Sequence, residues 1–152
     1  MTRSNARELA VHLIYAREFT GDEPEMVIAT RLEKEYYNQL SEENPVYEER
    51  PSHTQRAYID RVVTGVSNRI DELNNIIANY SIDWDIKRIS KLTRAVMQLA
   101  VFEIQNVDDV PTGVAISEAV RIVKLYDGDE AGAFVNGILG SFARNMNTEV
   151  EV

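Results

Sequence analysis

The chain has 152 residues, of which 44% are hydrophobic and 27% are charged, and its formal net charge at pH 7 is −9. This composition is typical of one globular domain and excludes an intrinsically disordered protein. Because the chain contains no cysteine, disulfides, thiol catalysis and cysteine-ligated metal sites are excluded as well.

The first half of the chain is predicted to be helical, because apolar residues recur at three- and four-residue steps. Residues 4–19 predict a first helix and residues 24–40 a second. Residues 41–53 contain two prolines and many glutamates, which indicates a polar connection and the best candidate for a mobile loop. A third helix covers residues 54–67, and it either ends there or continues to residue 80.

The second half shows the same spacing. It predicts helices over residues 85–104, from about 111 to 126, and from 129 to about 142. Residues from 145 onward are polar and acidic and are expected to fray. Since no segment alternates with period two for long, the predicted fold class is all-α.

The dipeptide Asn136-Gly137 leaves two alternatives open. Between apolar residues, Asn-Gly is typical of a β-hairpin turn, whereas the longer period from Phe134 to Phe142 favours a helix. A glycine inside a helix costs about 1 kcal/mol relative to alanine. If the segment is helical, we expect Gly137 to be there because another helix or a bound backbone approaches closely.

The residues offer no arrangement suited to catalysis. The two histidines, His12 and His53, are predicted to lie in a helix and a loop and form no pair at metal-ligand spacing. His12 flanks an apolar face, so a structural role is favoured over that of a general base. The chain has no glycine-rich phosphate loop either. We therefore expect a protein that is not an enzyme and needs no cofactor or metal.

Charge is distributed unevenly along the chain. Residues 21–50 carry nine acidic side chains against three basic ones, whereas residues 85–94 carry four basic side chains against Asp85. Arg3 and Arg7 share one face of the first helix. Any one charged stripe is more often a solvated helix face than a binding site. Nevertheless, cations are what a nucleic-acid site needs, and binding rather than catalysis is the function class that remains.

Several segments, in order, match one family pattern. They begin with Ala6-Arg7-Glu8 and Leu13-Ile14-Tyr15, followed by Gly65-Val66, Trp84, Lys87-Arg88-Ile89, Arg94-Ala95-Val96, Val110-Pro111, Val114-Ala115-Ile116-Ser117-Glu118-Ala119-Val120, Lys124-Leu125-Tyr126 and Phe134-Val135-Asn136-Gly137-Ile138-Leu139. This ordered set resembles the NusB family of bacterial transcription antitermination factors over nearly the whole chain. Ser117, Gln98 and Phe102 depart from the usual Asn, Arg and Tyr.

The resemblance implies a fold and an organisation. The expected fold is a compact helical domain of two packed helical subdomains. They form one RNA-binding domain over residues 1–148, with an amino half of about 1–80, a carboxyl half of about 81–145 and a frayed tail at 149–152.

The resemblance also implies a function. The protein would bind the boxA element of ribosomal RNA leader transcripts together with NusE, a basic ribosomal small-subunit protein, and so help RNA polymerase resist termination. The acidic surface would suit a basic partner. Ser4 and Asn5 stand where many relatives carry arginine, which predicts weaker binding to RNA by the chain alone.

Seven residues are candidate RNA contacts by position or likeness: Arg3, Arg7, Lys87, Lys91, Arg94, Phe134 and Asn136. Two acidic residues, Glu118 and Glu103, are candidate partner contacts. Phe134 and Tyr126 are either stacking platforms for bases or core residues, and Glu118 could equally pair with Arg121.

Two other classes of protein remain. A structural homo-oligomer of the same fold with weakened RNA binding is the alternative, and a homodimer is also an option for the antitermination factor. An RNA-modifying enzyme is strongly disfavoured by the length of the chain and by the missing cysteine nucleophile.

Overall fold

The computed structural model of the protein describes residues 1–81 and 89–151, with side chains through residue 146. Throughout these ranges the regular structure is helical, and no strand occurs in them. The elements are α1 (Arg3–Thr20), α2 (Pro24–Arg31), α3 (Lys34–Leu40), the 3₁₀ helix η1 (Pro45–Tyr47), α4 (His53–Asn68), α5 (Ile70–Tyr80), α6 (Lys91–Asn106), α7 (Thr112–Asp127) and α8 (Asp129–Glu151). The all-α prediction is confirmed.

The chain forms two compact units, Met1–Asn68 and Arg69–Val152. The sequence placed the boundary near residue 80, but α5 packs on α6 and α8 and so belongs to the second unit. The backbone at Arg69 leaves the helical range at φ −118° and ψ 21°, which ends α4 and separates it from α5. Of the two alternatives for the third helix, the one ending near residue 67 is therefore correct.

The first unit is built on α1 and α4. The Thr2 side chain accepts a hydrogen bond from the Asn5 backbone N–H at 3.0 Å and caps α1, which ends at Gly21 with φ 70°. One face of each helix is buried, and these faces supply much of the core: Ala6, Leu9, Ala10, Leu13, Ile59, Val62, Val63 and Val66. This packing fixes how the first turn of α1 is presented.

The predicted helix over residues 24–40 is two helices. Glu33 is extended (φ −60°, ψ 136°), and its carboxylate accepts hydrogen bonds from the backbone N–H groups of Glu35 and Tyr36. These bonds lower the pKa of Glu33. By capping the start of α3, the Glu33 side chain favours ending α2 over continuing it as one helix. The apolar spacing alone does not reveal this break.

The segment predicted to be a mobile loop is held by Tyr37. Its hydroxyl donates to the Glu49 carbonyl at 2.6 Å and lies 3.3 Å from the Val46 carbonyl. Burial raises the pKa of Tyr37 to about 12. Val46 is itself buried within η1, so part of this polar connection is anchored to the core.

The second unit contains α5 to α8. The helix predicted to begin at residue 85 instead begins at Lys91, because Ser90 is extended and its hydroxyl caps the Thr93 N–H at 3.0 Å; residues 82–88 lie outside the described part. The Asp127 carboxylate, at the end of α7, accepts hydrogen bonds from both the Ser90 and Thr93 hydroxyls. Asn136-Gly137 lies inside α8, so the hairpin alternative is wrong. The backbone of α8 stays helical to Glu151, past the predicted fray at 145.

No helix in the described ranges is long and apolar enough to cross a membrane.

Candidate nucleic-acid interface

In the first unit, two arginines at the start of α1 share one aromatic ring. The guanidinium carbon of Arg3 lies 3.9 Å from the centroid of the Tyr58 ring, and that of Arg7 lies 5.9 Å from it. Arg3 is exposed, whereas Arg7 is only 4% exposed. The arrangement presents one cation to solvent above a second that is largely enclosed. Tyr58 is a residue that sequence reasoning missed, and nothing in its local pattern distinguishes it from a core aromatic.

Two side chains, Glu49 and Gln55, form hydrogen bonds with Met1, which precedes α1. The Met1 ammonium donates to the Glu49 carboxylate, and the Gln55 amide donates to the Met1 carbonyl. The ammonium keeps the pKa of Glu49 below its usual value. A carboxylate therefore lies close to the chain that leads into Arg3, which lowers the local positive potential.

In the second unit, the candidate cations lie at the start of α6. Lys91 is exposed at the first helical position, and Arg94 is half-buried one turn later. Cations are unfavourable near a helix N-terminus, and the Asp127 carboxylate beside Ser90 and Thr93 offsets part of this cost. Lys87 lies outside the described residues.

The candidates on α8 differ sharply in exposure. Phe134 is 8% exposed and belongs to the apolar core, which favours its core alternative over base stacking. Asn136 is exposed. Gly137 is also exposed, and a methyl group added there would meet no described atom within 4 Å. Packing by another described helix therefore does not explain this glycine.

Tyr126 and Leu125, at the end of α7, are 38% and 64% exposed. The tyrosine side chain is thus more exposed than that of Phe134, which is 8% exposed. These two exposed side chains are adjacent in sequence and lie just before the turn between α7 and α8.

The two candidate partner contacts, Glu103 and Glu118, also differ in exposure. Glu103 has no exposed surface, because α6 is buried on all sides from Ala95 to Glu103. This burial argues against a direct partner contact. The Glu118 carboxylate lies 2.8 Å from the Arg121 guanidinium, the helix-surface pairing that the sequence left as an alternative.

Neither a catalytic nor a metal-binding arrangement emerges around His12. Its Nδ1 lies 2.7 Å from the Tyr47 hydroxyl, and burial lowers its pKa. In the described ranges, no group of three His, Cys, Asp or Glu side chains could hold a metal ion. His12 has the environment of a structural histidine.

The comparisons with known proteins agree with the motif pattern. The family model described as the NusB family matches residues 4–144. The chain belongs to the NusB family. The transcription antitermination protein NusB of Acetivibrio thermocellus is 38% identical over 144 residues, which cover 95% of this chain and 90% of that protein.

Solved structures agree with the NusB fold. NusB of T. maritima superimposes with a TM-score of 0.77 at 25% identity, over 95% of this chain and 92% of that one. A crystal structure of the antitermination factors NusB and NusE in complex with double-stranded RNA matches with a TM-score of 0.70 at 24% identity, over 94% and 96% of the two chains. The match to that complex shows the shared fold alone.

Proposed function

We propose that this NusB-family protein is a non-enzymatic, RNA-binding transcription antitermination factor. It binds the boxA element of ribosomal RNA leader transcripts together with NusE and helps RNA polymerase resist termination. The observation that carries the RNA-binding part is the exposed Arg3 guanidinium held 3.9 Å above Tyr58 at the start of α1. The family match over residues 4–144, which begins one residue after Arg3, supports the rest.

The geometry divides the candidate RNA contacts into two groups. Arg3, Lys91 and Asn136 are exposed and can contact RNA directly. Arg7 and Phe134 are 4% and 8% exposed, so we assign them to positioning. Arg7 packs beneath Arg3 on the Tyr58 ring, and Phe134 holds the helix that presents Asn136. Arg94 is half-buried, and with Lys87 it remains a candidate for phosphate contact.

The partner follows from charge. With a net charge of −9, the protein repels RNA at long range, and a few exposed cations attract it only weakly. A basic partner such as NusE neutralises acidic surface and adds cations of its own. Complementary charge also speeds association. We therefore assign high RNA affinity to the complex with NusE rather than to this chain alone.

The test is a titration of boxA RNA at several salt concentrations, with and without NusE. Arg3→Glu should weaken binding and reduce the slope of log affinity against log salt by about 0.7, the contribution of one phosphate contact on single-stranded RNA. Lys34→Glu is the matched control, since Lys34 is an exposed cation of the same unit outside the proposed site. If both variants lose the same affinity, the effect is that of net charge and the assignment of Arg3 fails.

The non-enzymatic assignment has its own test. The purified protein should neither hydrolyse nucleotides nor modify RNA. Turnover that disappears on mutation of one of its own residues would contradict it.

A further inference from the structure

Gly132, near the start of α8, is buried beneath the side chain of Lys124 at the end of α7. A Cβ atom built on Gly132 would lie 2.7 Å from Cγ and 3.0 Å from Cε of Lys124. Any larger residue at this position would therefore collide with the lysine. The lysine stem crosses α8 at the point where a side chain is missing, and this contact is a reason for the glycine.

Packing against Gly132 gives the Lys124 side chain a defined direction. Its Cγ, Cδ and Cε atoms all lie within 3.4 Å of the position that a Cβ atom of Gly132 would take. Lys124 is nevertheless an exposed residue, so its stem is packed while its charged end stays in contact with solvent. A side chain whose stem is already packed loses less conformational entropy when its charge meets a ligand.

Asn136 lies one helical turn beyond Gly132 on the same side of α8. Residues four apart on a helix are neighbours, with about 5–6 Å between their Cβ atoms. Asn136 is exposed, and asparagine is a poor helix former, so helix stability does not explain its place inside α8. The stem of Lys124 and the amide of Asn136 are therefore adjacent on one accessible surface of α8.

The charges around this surface make the placement of Lys124 important. Asp129 and Glu130 lie in the first turn of α8, where the helix dipole favours acids but where they also repel an anion such as phosphate. The carboxylate of Asp127 is engaged with two hydroxyls at the start of α6. A lysine that crosses α8 offsets part of the remaining negative charge close to Asn136.

We propose that Lys124, positioned by Gly132, contacts a phosphate of the bound RNA next to Asn136. The inference rests on the proposed RNA-binding function and deepens it by naming a further cation and the residue that positions it. An ammonium suits a phosphate, and an exposed amide suits the edge of an unstacked base; RNA recognition combines these two kinds of contact. A basic protein partner is a poor fit, because Lys124 would repel it.

The experiment is a titration of boxA RNA at several salt concentrations in the presence of NusE. Lys124→Gln should weaken binding by about two- to fivefold, the range of an exposed ion pair, and lower the slope of log affinity against log salt by about 0.7. In Gly132→Ala, the new methyl group collides with Cγ of Lys124. Because Cγ is bonded directly to Cβ, relief requires rotation about the Cα–Cβ bond of the lysine, which moves the ammonium away. Affinity and slope should therefore fall in the same direction as in Lys124→Gln.

The two substitutions combined test whether Gly132 acts through Lys124. If it does, the double variant binds RNA no more weakly than Lys124→Gln alone. Two variants serve as matched controls and should keep nearly the wild-type affinity. Arg69→Gln removes an exposed cation that lies before α5 in the same unit, and Gly113→Ala fills an unobstructed glycine of α7. Far-UV circular dichroism checks that every variant is folded.

The inference is overturned if Lys124→Gln loses no more affinity than Arg69→Gln, or if the losses of Lys124→Gln and Gly132→Ala simply add. It is also overturned if Lys124→Gln weakens NusE binding equally in the absence of RNA, which would make Lys124 a protein contact. These results leave the proposed function intact as long as the wild-type chain binds boxA RNA and Arg3→Glu weakens that binding. A wild-type chain that binds no RNA even with NusE overturns the proposed function, and this inference with it.

Discussion

The guanidinium of Arg3 lies 3.9 Å from the centroid of the Tyr58 ring, which joins the first turn of α1 to α4. Tyr58 is 5% exposed, so its ring is fixed by the core, and the long arginine side chain is held in one region rather than moving freely. A cation–π contact of this kind contributes about 0.5–2 kcal/mol. A cation that is already positioned loses less side-chain entropy when it meets a phosphate.

The contact between Arg3 and Tyr58 predicts that RNA affinity depends on the aromatic ring of Tyr58. Tyr58→Phe retains the ring and should bind RNA much as the wild type does. Tyr58→Leu removes it and should weaken binding by about 2- to 30-fold, the equivalent of about 0.5–2 kcal/mol. The measurement is RNA affinity at fixed salt in the presence of NusE, with circular dichroism to check folding. Equal affinities of the two variants would show that the ring does not position Arg3.

Glu103 predicts an effect on stability rather than on partner binding. Its side chain is fully buried, so Glu103→Ala leaves both a cavity and the groups that contact the carboxylate without their partner. A loss of about 1–3 kcal/mol in the free energy of unfolding is expected, as measured by urea denaturation. Asp108→Ala, at an exposed acidic position, should change stability by no more than about 0.5 kcal/mol. A selective loss of NusE affinity without destabilisation would restore the partner role.

Gly137 predicts opposite effects on stability and on binding. Gly137→Ala gains up to about 1 kcal/mol of helix propensity, and nothing described lies close enough to clash with the new methyl group. Thermal unfolding should therefore shift upward. If an external backbone approaches here, affinity for RNA or NusE should fall at the same time. Gly113→Ala, equally unobstructed on α7, is the control for binding. An unchanged affinity in Gly137→Ala would remove Gly137 from the interface.

His12 predicts a pH dependence of stability. Burial lowers its pKa below the ordinary value of 6.5, with Arg31 acting in the same direction and Glu8 opposing them. Below 6.5 the unfolded chain takes up a proton that the folded state binds less readily, so this contribution to stability is present above 6.5 and declines as the pH falls. In urea denaturation at several pH values, His12→Gln should lose less stability on acidification than the wild type, while His53→Gln, at an exposed position, should not differ from it. A slope unaltered in His12→Gln would assign the acid sensitivity to other groups.

Helix content was predictable because apolar spacing reports directly on buried faces, as Leu9 and Leu13 of α1 or Val96 and Leu99 of α6 illustrate. The breaks were harder to predict. Glu33 and Ser90 start helices through side-chain hydrogen bonds to backbone N–H groups. Serine and glutamate also occur within helices, as Ser4 and Glu8 of α1 do, so residue type alone does not mark a break. In the sequence, apolar and aromatic residues continue at four-residue steps across Glu33, so the spacing alone indicates one long helix: Ile28, Leu32, Tyr36 and Leu40.

For a related reason, the sequence predicted which candidate residues share a helix face but not which of them are exposed. Arg3 and Arg7 share a helix face, but a single turn separates an exposed side chain from one that α4 helps to cover. Spacing identifies which residues lie on the same side of a helix. It does not tell how close a neighbouring helix comes, and that distance decides whether Arg7 or Phe134 can be reached from solvent.

The Asp127 carboxylate accepts hydrogen bonds from both the Ser90 and Thr93 hydroxyls, so one side chain links the end of α7 to the start of α6. The end of α7 and the start of α6 are therefore both stabilised by the same carboxylate. When the last turn of α7 opens, α6 loses the acceptor for its first-turn hydroxyls, so the amides of both ends should exchange with solvent as one cooperative unit. In Asp127→Ala, amide hydrogen exchange should accelerate together at the start of α6 and at the end of α7. These two helix ends are 37 residues apart in sequence, from Ser90 to Asp127, and a single side chain links them.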